Sequence, residues 1–247
     1  MKKKFKISII TCCKNSMPYL KDNIKSIENQ NYKNYEQLFI LSKSNDGTCE
    51  FLKQKRKKIF KLETNNIYKC INFGIKKSKG DIIFLLHSDD KIISKNLFKK
   101  INHLFQNKDV DFIYGNCLIT KRDNIKKVIR KWKSKNIKKS KNFMIDLPAH
   151  TSFFIKKIIY QKINYDTSYY ISSDFDFLIK IFKKFSGLYF DYNFIYMRTG
   201  GTSSKIRNFK NKMIEDILII KKYYLFSFLI IYLLKLLFKI KQKNLNI

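Results

Sequence analysis

The sequence predicts an α/β fold: a mostly parallel sheet flanked by helices, followed by an amphipathic, hydrophobic C-terminal helical tail. Three observations carry this. Residues 5–12, 36–41 and 81–86 are short runs rich in Ile, Leu and Phe, which suits strands buried on both faces. Residues 17–30, 46–58 and 67–79 instead place apolar side chains three or four apart, the helical spacing. The two patterns alternate, and a β-α-β-α series predicts parallel strands joined by crossover helices. A helix around residues 95–106 and a further strand at 111–117 continue the series.

At 247 residues the chain allows one large domain or a domain with an appendage. Apolar residues make up 45% and aromatics 15%, which excludes intrinsic disorder. Lys and Arg total 52 against 19 Asp and Glu, a formal charge of +33, yet only five of the 52 are Arg. Three sources of this excess stay open: a polyanionic partner, an anionic membrane surface, or compositional drift toward lysine. Arginine supplies most bidentate base contacts, so its scarcity argues against sequence-specific reading of nucleic acid, and no nucleic-acid partner is expected. The five cysteines are odd in number and lack C-x-x-C spacing, which indicates neither a disulfide framework nor a zinc cage and fits a reducing cytoplasm. Residues 1–6 are basic like a signal-peptide start, but the apolar run 7–13 is short and ends at Lys14-Asn15, so it reads as the first strand.

There are only seven glycines; Gly47, Gly74, Gly80 and the pair Gly200-Gly201 therefore mark backbone requirements. Neither G-x-G-x-x-G nor G-x-x-x-x-G-K-[ST] occurs, so the dinucleotide fingerprint and the P-loop are unsupported. Residues 121–141 hold eleven basic residues and one acid around the lone Trp132. They read as a solvated edge hairpin or insertion, or as a flap whose lysines meet phosphate. In the tail, twelve residues separate Lys222 from Lys235, short of the roughly 20 apolar residues needed to span a bilayer. Lys235 and Lys239 share one helical face, so an interfacial helix in the headgroup plane is expected. A helix packed on the domain or on a partner subunit, and a true span, are the alternatives.

Chemistry concentrates at two places. The strand at 82–86 runs into His87-Ser88-Asp89-Asp90, and ligands of an open parallel sheet bind beyond the carboxyl ends of its strands. Paired carboxylates there suit a divalent cation that clamps a diphosphate, although a helix N-terminus also favours acids. Further on, Ser172 or Ser173 can cap a helix carrying Phe177, Leu178, Ile181, Phe182 and Phe185. At about 100° per residue Asp174 falls within that apolar stripe while Asp176 points to water. The inward Asp174 is a structural anchor or a general base. His150 precedes a strand-like run, 153–155, as a structural histidine or as a phosphate or acceptor contact.

The ordered set Ile7-Ser8-Ile9-Ile10-Thr11, Ser44-Asn45-Asp46-Gly47-Thr48, Asn72-Phe73-Gly74, Lys79-Gly80-Asp81, His87-Ser88-Asp89-Asp90, His150, Ser173-Asp174-Phe175-Asp176 and Gly200-Gly201-Thr202-Ser203 resembles the family 2 glycosyltransferases. The resemblance covers roughly residues 5–205, and it is greatest to the bacterial subgroup that builds capsule, exopolysaccharide or lipopolysaccharide. It implies a GT-A fold, Rossmann-like, in residues 1–205, with a nucleotide-sugar half (1–118), an acceptor and catalytic-base half (119–205), and a membrane-associating tail (206–247). It also implies inverting transfer from a nucleotide-diphosphate sugar to a hydroxyl of a lipid-linked or polysaccharide acceptor. Asp174 matches the catalytic base; Asp90, with Asp89, matches the site of a divalent cation, Mn²⁺ or Mg²⁺; Ser88 replaces the first Asp of the family's Asp-x-Asp motif. Thr11, Asn15, Ser42, Asp46, Asn72, Ser88 and Asp89 match nucleotide-sugar contacts, and His150, Gly200 and Ser203 match acceptor or phosphate contacts.

One departure alters the expected base pocket. Leu41-Ser42 stand where the family usually carries an Asp at the end of the second strand, which leaves Ser42 as the polar group there. The implied setting is cytoplasmic and peripheral, on the inner face of the cell membrane, with anionic lipid as a partner. A basic membrane-attached binding module without turnover, or another nucleotide-sugar enzyme on the same fold, are the competing functions.

Overall fold

A computed structural model gives the fold and describes residues 3–137, 145–201 and 208–244. The first half alternates as expected: β1 (Ile7–Cys13), α1 (Leu20–Glu28), β2 (Tyr35–Leu41), α2 (Thr48–Gln54), β3 (Lys58–Lys61), α3 (Ile67–Lys77) and β4 (Ile82–Leu85). Strand β3 was not expected. The helix predicted over 46–58 stops early, Arg56 turns the backbone at φ +48°, and the chain pairs with β2. That pairing is tertiary and overrides the helix-compatible composition of residues 53–58.

The second half comprises β5 (Lys91–Ile92), α4 (Leu97–Asn107), β6 (Phe112–Thr120), β7 (Val128–Trp132), a 3-10 turn (His150–Ser152), β8 (Phe153–Lys156), α5 (Lys157–Lys162), α6 (Ser173–Lys184), β9 (Gly187–Arg198), α7 (Phe209–Tyr223) and α8 (Phe228–Asn244). The sheet order is β3-β2-β1-β4-β8-β6-β9-β5, with β7 on the side of β6. Strands β3, β2, β1 and β4 are mutually parallel, β8 enters antiparallel between β4 and β6, and β6 and β9 are parallel again. The basic segment after β6 thus begins as an antiparallel hairpin with β7.

Adjacent strand residues face opposite cores. Ile83, Leu85, Phe112, Tyr114, Phe153 and Ile155 pack into one cluster, while Ile82, Phe84, Ile113 and Phe154 pack into the other. Burial on both faces is why these strands read as continuous apolar runs. Helix α3 lies close on β1 and β2; a Cβ at Gly74 would sit 2.6 Å from Ile10 Cγ2, so only glycine permits this approach.

The C-terminal helices join the same body. Ile219 and Ile220 of α7 are fully buried in the cluster that holds Phe175 and Phe177 of α6, and α8 packs back on α7. The headgroup-facing role expected for Lys235 does not hold. Its ammonium is buried, 2.9 Å from Asp216 Oδ2 of α7 and over the Phe175 ring at 3.2 Å. A cation on the inner side of a helix is tolerated when it meets a carboxylate and a ring face. The side chain of Lys239 lies outside the described residues. Among those described, no helix is long and apolar enough to cross a membrane.

Candidate active site

Asp174 sits in the first turn of α6. The expected caps, Ser172 or Ser173, do not fix that turn, because Ser172 makes no side-chain cap. Glu215 of α7 does so from outside: its carboxylate accepts the backbone N–H groups of Tyr170, Ile171 and Ser172 at 2.8, 2.9 and 2.8 Å. Three N–H donors converging on one carboxylate anchor the segment that enters α6.

The Asp174 carboxylate is half-buried and fully engaged. Oδ1 accepts from the Tyr68 hydroxyl at 3.1 Å and from the Phe175 N–H at 2.9 Å, and Oδ2 lies 3.1 Å from His150 Nδ1. Burial alone raises its pKa, but the hydrogen bond and charge of His150, the charge of Lys212 and the Phe175 N–H outweigh it and hold the carboxyl well below the usual carboxylate range. The group is therefore ionised at neutral pH, as a proton acceptor must be. Tyr68, also bonded to the Ile171 carbonyl, orients it from α3, and burial with the neighbouring Asp174 charge pushes the phenol well above its ordinary value.

A histidine pair links this carboxylate to the end of β4. His150 Nε2 lies 3.0 Å from His87 Nε2. Burial and the His150 charge push His87 down to about 4, so its ring is neutral at pH 7 and one proton suffices between the facing nitrogens. The fold brings His87 its partner from the 3-10 turn before β8, 63 residues away in the chain.

Two residues on stand the paired acids. Asp90 is enclosed, Oδ2 has no hydrogen-bond partner among the described residues, and burial plus the charge of Asp89 raise its carboxyl well above the usual range against the opposing Arg198. Asp89 is the accessible one, with Oδ2 3.2 Å from Arg122 Nη1. Behind them Arg198 is a buried strut, donating to the Asp89 carbonyl at 2.7 Å and to Asp22 Oδ2 at 2.6 Å. Two adjacent carboxyl groups, one with an orphaned oxygen, are the hard-oxygen set that a divalent cation suits. The described residues contain no group of three His, Cys, Asp or Glu able to hold a metal, so further ligands would be water or diphosphate oxygens. The residues fit the cation, with Asp89 rather than Asp90 as the open position.

The remaining expected contacts divide. Ser88 adjoins the acid pair, its hydroxyl accepting from Ser16 at 2.9 Å. Asn15, in the left-handed region at φ +49°, ties the first loop to the second through Ser44 and Asn45. Asp46 serves the same joint by accepting from the Thr48 hydroxyl and from the Met17 and Thr48 N–H groups, which together outweigh burial and lower its pKa. Thr11 is buried and accepts from Gln37. Ser42 is buried too, its hydroxyl 3.2 and 3.1 Å from the carbonyls of Leu62 and Thr64, so it braces a loop. Asn72 is spent on a two-way clasp with the Tyr165 backbone. Gly200, at φ +86°, lies against Arg122, whereas Ser203 lies outside the described residues.

The expectation that Asp176 faces water is overturned. Its side chain is fully buried, paired with Lys180 and with Lys222 at 3.5 Å, and it accepts from the Tyr223 hydroxyl at 2.9 Å. Helix α7 covers the face that a wheel drawn for α6 alone assigns to solvent. Asp176→Asn should lower unfolding free energy by about 1–3 kcal/mol in urea titrations with little effect on site geometry; the partly exposed lysines can turn to water, which keeps the loss below that of a wholly buried pair.

The model for "Glycosyl transferase family 2" matches residues 8–182. The chain belongs to this family. Among curated relatives, uncharacterized glycosyltransferase MJ1057 of Methanocaldococcus jannaschii is 31% identical over 172 residues, covering 66% of this chain and 59% of that protein. The GalNAc(5)-diNAcBac-PP-undecaprenol beta-1,3-glucosyltransferase of Campylobacter jejuni is 30% identical over 132 residues, 49% of this chain and 41% of that protein. The chain thus spans about half the length of these relatives. S. aureus TarS 1-349, solved in complex with UDP-GlcNAc, superposes with a TM-score of 0.63 at 17% identity over 87% of this chain and 64% of that one, which establishes the shared GT-A fold.

Proposed function

We propose that this family 2 member is an inverting glycosyltransferase. It moves a sugar from a nucleotide-diphosphate donor to a hydroxyl of a lipid-linked or polysaccharide acceptor. The observation that carries the reading is the continuous path Asp174, His150, His87 into Ser88-Asp89-Asp90, which links an ionised carboxylate to a cation-suited acid pair.

In the reaction Asp174 takes the proton of the acceptor hydroxyl as that oxygen attacks the anomeric carbon. Tyr68 and His150 hold the carboxylate in place, and Asp89 and Asp90 sit at the diphosphate end. A divalent cation bound there supplies positive charge against the departing diphosphate. The other acid of α6, Asp176, is enclosed by α7 and cannot act as the nucleophile of a double displacement, which favours inversion. Ser42 is turned inward, so base recognition falls to the rest of the pocket. Turnover of a panel of nucleotide sugars by the purified chain, with and without Mn²⁺, tests the assignment; no release of nucleoside diphosphate from any donor would count against it.

The polyprenol-linked substrate in the name of the Campylobacter relative and the outer face of α8 support a peripheral site on the cytoplasmic membrane surface. On α8, Leu229, Ile230, Leu233 and Leu237 are exposed on a side away from Lys235; Phe226, just before the helix, is 98% exposed, and Lys221 and Lys222 are exposed in the last turn of α7. Apolar contact and basic flanks together are what anionic lipid holds. The triple change Leu229→Gln, Ile230→Gln, Leu233→Gln should release the protein from phosphatidylglycerol-containing vesicles in a flotation assay without lowering its melting temperature; unchanged flotation would remove α8 as the anchor.

A further inference from the structure

Only five arginines occur among 52 basic residues, and two of them, Arg122 and Arg198, meet at Asp89 with their guanidinium carbons 4.7 and 4.8 Å from the Tyr19 ring centroid. Lysine serves nearly everywhere else in this chain. A planar fork that stacks on a ring and binds two oxygens at once is what lysine cannot supply.

The two arginines are not equivalent. Arg198 is buried and committed, one nitrogen to the Asp89 carbonyl and the other to Asp22. Arg122 is 43% exposed and held through a single nitrogen, Nη1, which donates to Asp89 Oδ2 at 3.2 Å and to the Thr199 carbonyl at 3.1 Å. Its Nη2 and Nε have no partner among the described residues. Gly200 gives the side chain its room, since a Cβ there would stand 3.2 Å from Arg122 Cδ. The guanidinium is thus steered by Tyr19 to the open oxygen of the acid pair, and three of its five N–H donors remain unused.

We infer that Arg122 is a diphosphate-binding residue that pairs with Asp89 and passes to the donor's phosphate oxygens when a divalent cation takes Asp89. This rests on the proposed nucleotide-diphosphate site. A cation and a guanidinium cannot share Asp89 Oδ2 without repulsion, and the diphosphate that arrives with the cation offers Arg122 paired oxygens while its stack on Tyr19 is kept. Arg122 then opposes cation binding alone and favours cation plus diphosphate.

The test uses the full chain with Mn²⁺ and inorganic pyrophosphate, a probe that needs no knowledge of the base or sugar. Free Mn²⁺ is followed by its electron paramagnetic resonance signal and pyrophosphate by calorimetry, for wild type, Arg122→Gln, Arg122→Lys and the exposed control Lys126→Gln. Arg122→Gln should weaken pyrophosphate binding in Mn²⁺ by about tenfold to a hundredfold, the range for lost hydrogen bonds to charged groups, while binding Mn²⁺ alone at least as tightly as wild type. Arg122→Lys should recover part of the loss, and Lys126→Gln should match wild type. Wild-type pyrophosphate affinity in Arg122→Gln overturns the assignment. Equal weakening of Mn²⁺ alone overturns it too, because Arg122 would then only shape Asp89. If the wild-type protein binds neither pyrophosphate nor UDP in Mn²⁺, the donor-site reading itself falls and takes the inference with it.

Discussion

Asp174→Asn lowers sugar transfer by about a hundredfold to ten-thousandfold, the range for loss of a general base, while nucleoside diphosphate binding stays near wild type. The amide keeps an oxygen for Tyr68 and the Phe175 N–H but has no basic lone pair for the acceptor proton. Single-turnover transfer measured beside equilibrium UDP binding separates the two effects; a loss confined to binding would remove Asp174 from the chemistry. The pH dependence has a definite sign. Because the folded pKa is depressed, the ionised carboxylate stabilises the fold above its unfolded value of about 4, and that contribution is lost as pH falls through the folded value. Unfolding midpoints of Asp174→Asn should therefore fall less steeply than wild type below about pH 4, and protonation of Asp174 should not limit wild-type activity between pH 6 and 8.

Asp89→Asn removes the cation-dependent part of nucleoside diphosphate binding. The pair it forms with Arg122 is partly exposed, so its loss changes stability by no more than about 1 kcal/mol. The amide remains a weak oxygen donor but no longer offers charge to a divalent cation, and the leaving diphosphate loses its support. UDP titrations with Mn²⁺ and with chelator should converge in this variant. Asp90→Asn is expected to retain more of the difference, since its carboxyl is enclosed while that of Asp89 is partly exposed. If Asp90→Asn erased the cation effect and Asp89→Asn preserved it, the order of the two ligands would be reversed.

The strands of the parallel half were legible because burial on both faces leaves a local mark, an uninterrupted apolar run. The acids after β4 were legible because strand ends are where an open sheet offers ligands a cleft. Asp174 was placed inward correctly by helical periodicity, and the same wheel placed Asp176 outward wrongly. A wheel gives direction about one axis and carries no knowledge of a second helix packed on the far side. Glu215 and the pairing of His87 with His150 left no sequence signal for the same reason: their partners are 43 to 63 residues away.

The sequence by itself determined the fold class, the strand–helix alternation of the first half and the short list of candidate acids, since periodicity and turn residues act over a few neighbours. Tertiary packing decided which of those groups are free to react. Asp174 is held ionised by His150 of the 3-10 turn and Lys212 of α7, Asp176 and Lys235 are paired with opposite charges inside the helical layer, and α7, expected as part of a membrane tail, became the brace of helix α6. A carboxylate's usefulness depends on what neighbouring elements donate to it and how far they exclude water, and those quantities exist only once the chain has folded.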